Sequence, residues 1–131
     1  MKPARRLLLI TSDENTAAIL QLYLENRGYM VKNIPGGNKG ILEARAWQPD
    51  AILVSNHVAD QPAEQICYDL LNHPLTRRIP LLFLSNVTDR RTRLKVLELG
   101  ADDVITQPFD VEELQLRIEA AIRLATHQLA A

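Results

Sequence analysis

Gly100-Ala101-Asp102-Asp103-Val104-Ile105-Thr106-Gln107-Pro108-Phe109 joins a helix stop, an acidic pair, a short apolar run and a proline. Gly100 follows the helical spacing of Leu94 and Leu97, which the pattern turns inward, and glycine readily closes a helix in the left-handed conformation. Val104-Ile105 then reads as a short strand. Asp110, followed three residues later by Glu113, gives an acidic start to a last helix whose Leu114, Ile118, Ala121, Ile122 and Ala125 form one stripe.

Working outward, the same alternation of short apolar run and helical stretch repeats along the chain. Leu7 to Ile10, Tyr29 to Ile34, Ala51 to Val54 and Leu81 to Leu84 are the other strand candidates. Three of them are apolar at consecutive positions, as strands buried on both faces of a parallel sheet require. The second is more mixed and belongs nearer an edge. Between them, Ile19, Leu20, Tyr23 and Leu24 follow a cap at Ser12 or Asp13 and stop at Gly28. Asn38 to Trp47, a third stretch from about Pro62 to Leu71, and a fourth capped by Thr88 or Asp89 complete the helices. Five βα units with short connections predict an α/β, doubly wound, five-stranded parallel sheet of order 2-1-3-4-5 with five helices. Chemistry in such a sheet lies at the carboxyl ends of the strands. The residues there are Thr11, Ser12 and Asp13, then Ser55, Asn56 and His57, then Ser85 and Asn86, then Thr106 and Gln107.

Composition narrows the function classes. A net charge of -1 over 131 residues, with acids mixed among the bases, argues against a nucleic-acid surface or an anionic membrane as partner. The single cysteine, Cys67, forms no internal disulfide, and no apolar run approaches the ~18 residues of a membrane span. Leu7-Leu8-Leu9-Ile10 is shorter than the ~7–15 apolar residues of a secretory signal core. A cytoplasmic location is the expectation. Ser55 with His57 and Asp13 offers a nucleophile with a base and its orienting acid, but the Gly-x-Ser-x-Gly elbow is missing. His57 and His73 have no metal-ligand spacing.

Gly100-Ala101-Asp102-Asp103 followed by Gln107-Pro108-Phe109, with Glu113-Leu114 and Arg117-Ile118 beyond, resembles the receiver domain of two-component response regulators. Pro49-Asp50-Ala51-Ile52-Leu53-Val54 and the run from Asn72 to Pro80 are similar to the segments around that family's third strand and third helix. The resemblance covers nearly the whole chain and implies a flavodoxin-like, CheY-like fold, with residues 1–131 as a single receiver-like domain.

The resemblance also implies where phosphoryl transfer would occur. Active receivers carry two acids after strand 1, an aspartate at the end of strand 3, a hydroxyl at strand 4 and a lysine at strand 5. Here those positions hold Thr11 and Ser12, Ser55, Ser85 and Gln107, with Asp13 one residue beyond the acid pair. Mg²⁺ is a hard cation held through carboxylate and phosphate oxygens, so hydroxyls in their place remove the charge that binds it. Gln107 likewise lacks the positive charge a lysine would bring to a transferring phosphoryl group. Val104 stands where active receivers place a switching aromatic.

These substitutions predict a phosphorylation-independent receiver, a non-enzyme with neither metal nor cofactor, acting through protein contacts. The alternatives are a conventional phospho-acceptor with residual activity at Asp13 or Asp50, and a small-molecule-binding pseudo-receiver. Expected partners are signalling proteins or an output domain, attached or separate, since 131 residues leave no room for one here. A homodimer through helix 4, strand 5 and helix 5 is expected to use Arg93, Asp102, Asp103, Glu113 and Arg117. Arg93 would meet Glu113 of the second copy, Asp103 would meet Arg117, and Glu98 would face Glu119 unfavourably.

Overall fold

The structure, a computed structural model, describes residues 3–86 and 88–130, the last three by backbone alone. Its elements follow the expected alternation: β1 Arg6–Ile10, α1 Glu14–Asn26, β2 Met30–Ile34, α2 Gly37–Trp47, β3 Ala51–Ser55, α3 Ala63–Leu71, β4 Leu81–Ser85, α4 Arg90–Leu99, β5 Asp103–Thr106 and α5 Val111–Ala130. The strands pair in parallel in the order β2-β1-β3-β4-β5. None of the helices in the described residues is long and apolar enough to cross a membrane.

Strand period explains the continuous apolar runs. Successive side chains point to opposite faces, so Leu7, Leu9, Leu53, Leu82 and Leu84 pack under α1 and α5. Leu8, Ile10, Ile52, Val54 and Phe83 pack under α2, α3 and α4. β1, β3 and β4 are therefore apolar at consecutive positions apart from Arg6, Ser55 and Ser85 at their ends, while β2, at the edge, is only partly buried.

Two helix faces differ from the sequence reading. On α4 it is Val96 that is fully buried, whereas Leu94 and Leu97 are each 48% exposed. The helix leans on the sheet along Thr92, Val96 and Leu99, roughly one residue round from the leucine pair. On α1, Thr16, Ala17, Leu20 and Leu24 go inward and Ile19 faces out. The stops at Gly28 and Gly100 do take positive φ, 91° and 112°.

Two carboxylates hold the amino-terminal end of the sheet. Asp50 accepts the Arg6 N–H at 2.7 Å, and Asp102 accepts the Leu81 N–H at 2.8 Å, so each fixes the first residue of a strand. On the other side, α2 approaches the sheet through glycine. A Cβ at Gly40 would lie 2.7 Å from Ile10 Cδ1 and 2.9 Å from its Cγ1. Gly40→Ala is therefore expected to cost about 1–3 kcal/mol by overpacking, against the ~1 kcal/mol that alanine gains in helix propensity. Urea denaturation measures the difference, and a variant as stable as the parent would show that Ile10 yields without strain.

Candidate functional site

Parallel strands deliver their carboxyl ends to one edge of the sheet, and the residues singled out above meet there. Thr11 and Ser55, ending β1 and β3, are 1% and 2% exposed. The Ser55 hydroxyl donates to Thr11 Oγ1 at 2.7 Å and accepts the His57 N–H at 3.1 Å. Thr11 Oγ1 also accepts the Asp13 N–H at 3.2 Å. Ser12 turns aside: its hydroxyl donates to the Pro35 carbonyl at 2.7 Å and accepts the Ala59 N–H at 3.1 Å, tying together the loops after β1, β2 and β3. The hydroxyls are thus engaged by the protein itself.

Asp13 is the cap of α1. Its carboxylate accepts the Asn15 N–H at 3.1 Å and the Thr16 hydroxyl at 2.8 Å, and the Thr16 bond leads in holding its pKa below the usual carboxylate value. His57 is exposed and reaches Ser55 through its backbone N–H. The Ser55 hydroxyl points to Thr11 and His57 reaches it only through its backbone N–H, so no serine–histidine pair forms. Asp50 lies at the opposite end of the sheet, on Arg6.

The strand-4 and strand-5 positions complete the edge. Ser85, fully buried, donates to the Asn86 carbonyl at 3.0 Å, and Gln107 donates its N–H to the Ser85 carbonyl at 2.8 Å ahead of a cis bond to Pro108. Val104 packs against the core beneath α2, α3 and α4 as an ordinary apolar side chain. Beside Gln107 a cleft of about 610 Å³ opens between α1 and the loops after β4 and β5, lined by Thr16, Ile19, Asn86, Thr88, Gln107 and Phe109.

Mg²⁺ does not fit this edge. Thr11, Ser12 and Ser55 are neutral and mutually or backbone-bonded, and Asp13 is turned to its helix. Among the described residues no group of three or more His, Cys, Asp or Glu could hold a metal ion.

Two contributions were not foreseen from sequence. Asn56 joins three elements: its Oδ1 accepts the Asn86 N–H at 2.6 Å, and its Nδ2 donates to Asp89 at 2.7 Å. Asp89 in turn accepts the Thr92 N–H at 3.1 Å as cap of α4, and Arg93 donates to the Asn86 carbonyl at 3.2 Å. The end of β3 is thereby connected to the start of α4. Asp60, in the loop after β3, accepts the Gly37 and Asn38 N–H groups at 2.7 and 3.2 Å. The signal for it was negative: Gly36 caps α2 with no side chain, which leaves exposed N–H groups needing an acceptor from elsewhere.

The five charged residues considered for a dimer face separate into groups. Arg117 donates to Asp103 at 2.9 Å and to Glu113 at 3.1 Å within the chain, and these bonds raise its pKa. Arg93 is turned to the loop after β4, and Asp102 to the sheet's amino-terminal end. Glu119 is engaged within the chain. It accepts the Tyr29 hydroxyl at 2.5 Å and lies 3.5 Å from Arg5, on the α1 flank of α5. Burial and the Glu119 carboxylate push the Tyr29 phenol up to about 12.

With the geometry in place, comparison with known proteins identifies the family. The profile of the response regulator receiver domain matches residues 7–119. The chain is 32% identical to the DNA-binding dual master transcriptional regulator RpaA of Synechocystis over 90% of its length and 49% of the relative's. It is 29% identical to the alkaline phosphatase synthesis transcriptional regulatory protein PhoP of Bacillus subtilis, over 91% and 49%. The chain spans about half the length of these curated relatives. Among solved structures, it is similar to a putative response regulator from Chloroflexus aurantiacus, with a TM-score of 0.86 and 27% identity over 92% of this chain and 98% of that one. A receiver domain of a Pseudomonas aeruginosa sensor histidine kinase, solved with magnesium in its active-site cleft, shares the fold at 22% identity and a TM-score of 0.83, over 91% and 98%. The profile match, the sheet order and these relatives agree: the chain belongs to the response regulator receiver domain family.

Proposed function

We propose that this receiver domain works without phosphoryl transfer, as a protein-interaction and dimerisation module in two-component signalling. The observation that carries the reading is the 2.7 Å bond between the Ser55 and Thr11 hydroxyls. It joins the acceptor position to the first position of the acid pair, so the space between β1 and β3 is spanned by a neutral contact. A phosphoryl group arriving there would meet neither a carboxylate nucleophile nor a cation to spread its charge. A receiver normally responds because phosphate binds one conformation better than another, and a site without differential affinity shifts nothing.

The Asn56 connections support the same reading. They link the end of β3 to the cap of α4 with fixed amide bonds, so α4 is positioned without a ligand. The surface of α4, β5 and α5, with Asp103, Glu113 and Arg117 clustered on it, is then permanently presented to a second copy or to an output domain. The curated relatives, twice this length and named as transcriptional regulators, make an output domain in the same or a partner protein the natural recipient. The cleft beside Gln107 favours a second reading, in which a neutral small molecule occupies the site.

Three outcomes test these statements. Incubation with acetyl phosphate, or with beryllofluoride and Mg²⁺, is expected to leave the mass and the amide spectrum around Ser55 unchanged; a specific adduct or Mg²⁺-dependent shifts there would overturn phosphorylation independence. Sedimentation over a range of concentrations is expected to reveal a dimer that Arg117→Glu dissolves, and a dimer indifferent to that change rejects the face. Asn56→Ala is expected to cost about 0.5–1.5 kcal/mol by removing hydrogen bonds to two partly buried partners. Its amide exchange should quicken at Thr92 and Arg93, and a change confined to β3 would show that Asn56 does not hold α4.

A further inference from the structure

α4 is capped by Asp89 yet concentrates positive charge, and several of the bases share one groove. Its first turn carries Arg90 and Arg91 with no acid, although the amino-terminal end of a helix disfavours positive charge. Its sequence holds four bases and one acid in a chain whose net charge is -1. Only Val96 is buried, and Leu94 stands half exposed. Between α3 and α4, Arg90, Arg91, Leu94 and Lys95 line a groove of about 560 Å³ with Glu64 and Glu98. An adjoining groove adds Tyr68, itself 49% exposed, and shares Glu64 and Lys95. Among the described residues none of Arg90, Arg91 and Lys95 has a carboxylate within ion-pair distance.

We propose that this α3–α4 groove docks an acidic amphipathic segment of a partner protein. Leu94 and Tyr68 offer apolar contact for an anchoring side chain, and the three unpaired bases offer complementary charge to carboxylates spaced along a helix. Local choices that oppose the fold mark functional surfaces, and bases in the first turn of α4 are such a choice. Glu64 and Glu98 interrupt the positive strip, which penalises a continuous polyanion such as a nucleic-acid backbone more than a peptide with separate carboxylates. The groove shares α4 with the face considered for a dimer, but Asp103, Glu113 and Arg117 do not line it.

The test is selection of phage-displayed random peptides of about 12 residues on the wild-type domain, followed by fluorescence anisotropy of the enriched peptides. Peptides with an acidic excess around a leucine-like anchor are expected. The Arg90→Glu, Arg91→Glu double variant should weaken them by about tenfold or more, Leu94→Ala by several-fold, and Arg117→Glu by less than about twofold. The double variant should melt no lower than wild type, since it removes charge that opposes the helix dipole. Absence of enrichment, peptides without acidic excess, or equal binding by the double variant overturns the proposal. So does a single-stranded oligonucleotide that binds more tightly than the peptides and is lost in the same variant, which would make the groove a polyanion site.

Discussion

A hydrogen bond between two buried hydroxyls, Ser55 donating and Thr11 accepting, organises the carboxyl edge of this sheet. Ser55 and Thr11 are each almost inaccessible, and their bond gives the Ser55 hydroxyl an acceptor while both oxygens also accept a backbone N–H. Such a bond contributes only about 1 kcal/mol net, whereas leaving one partner unsatisfied costs about 1–3 kcal/mol. The neutral pair also needs no counter-ion. A carboxylate at either position would bring a desolvation penalty that only a cation or a base could offset, and Gln107 provides neither. Around this pair, Ser12 and the backbone of His57 close the loops, so the geometry of the edge follows from neutral side chains making short internal bonds.

The sheet was readable because parallel packing leaves a simple trace in sequence. Leu7 to Ile10, Ala51 to Val54 and Leu81 to Leu84 must be apolar at every position when helices cover both faces, and the strand order follows from right-handed crossovers. α4 was read less well because size suggested that Leu94 and Leu97 go inward. The tilt of a short helix against a sheet is a tertiary property, and it selected Val96 instead. The residue types at this edge were visible in the same way: hydroxyls at Thr11, Ser12, Ser55 and Ser85 and an amide at Gln107. The bond between Ser55 and Thr11 was not, since it depends on the register of β1 against β3. The span from Asn56 to Asp89 is of the same kind, because a side-chain amide across 33 residues leaves no periodicity to detect.

The chain makes unequal use of its charges. Asp50 and Asp102 are spent on strand-start N–H groups, where each fixes backbone; burial raises the Asp102 pKa, offset in part by the Leu81 N–H it accepts. Arg117, Asp103 and Glu113 satisfy one another on an exposed flank, where such pairs contribute little to stability. Among the described residues, Arg90, Arg91 and Lys95 have no carboxylate within ion-pair distance. Structural charges, mutually neutralised charges and outward-facing charges thus occupy different regions of one small domain.

The Asp60 cap on α2 carries a consequence for how the molecule comes into being. Gly36 offers no side chain to the first N–H groups of α2, and the acceptor arrives from 23 residues further along the chain. During synthesis, which runs from the amino terminus, the segment that becomes α2 is finished well before its cap exists. The start of α2 therefore gains these two acceptors only once β3 and the loop beyond it are in place.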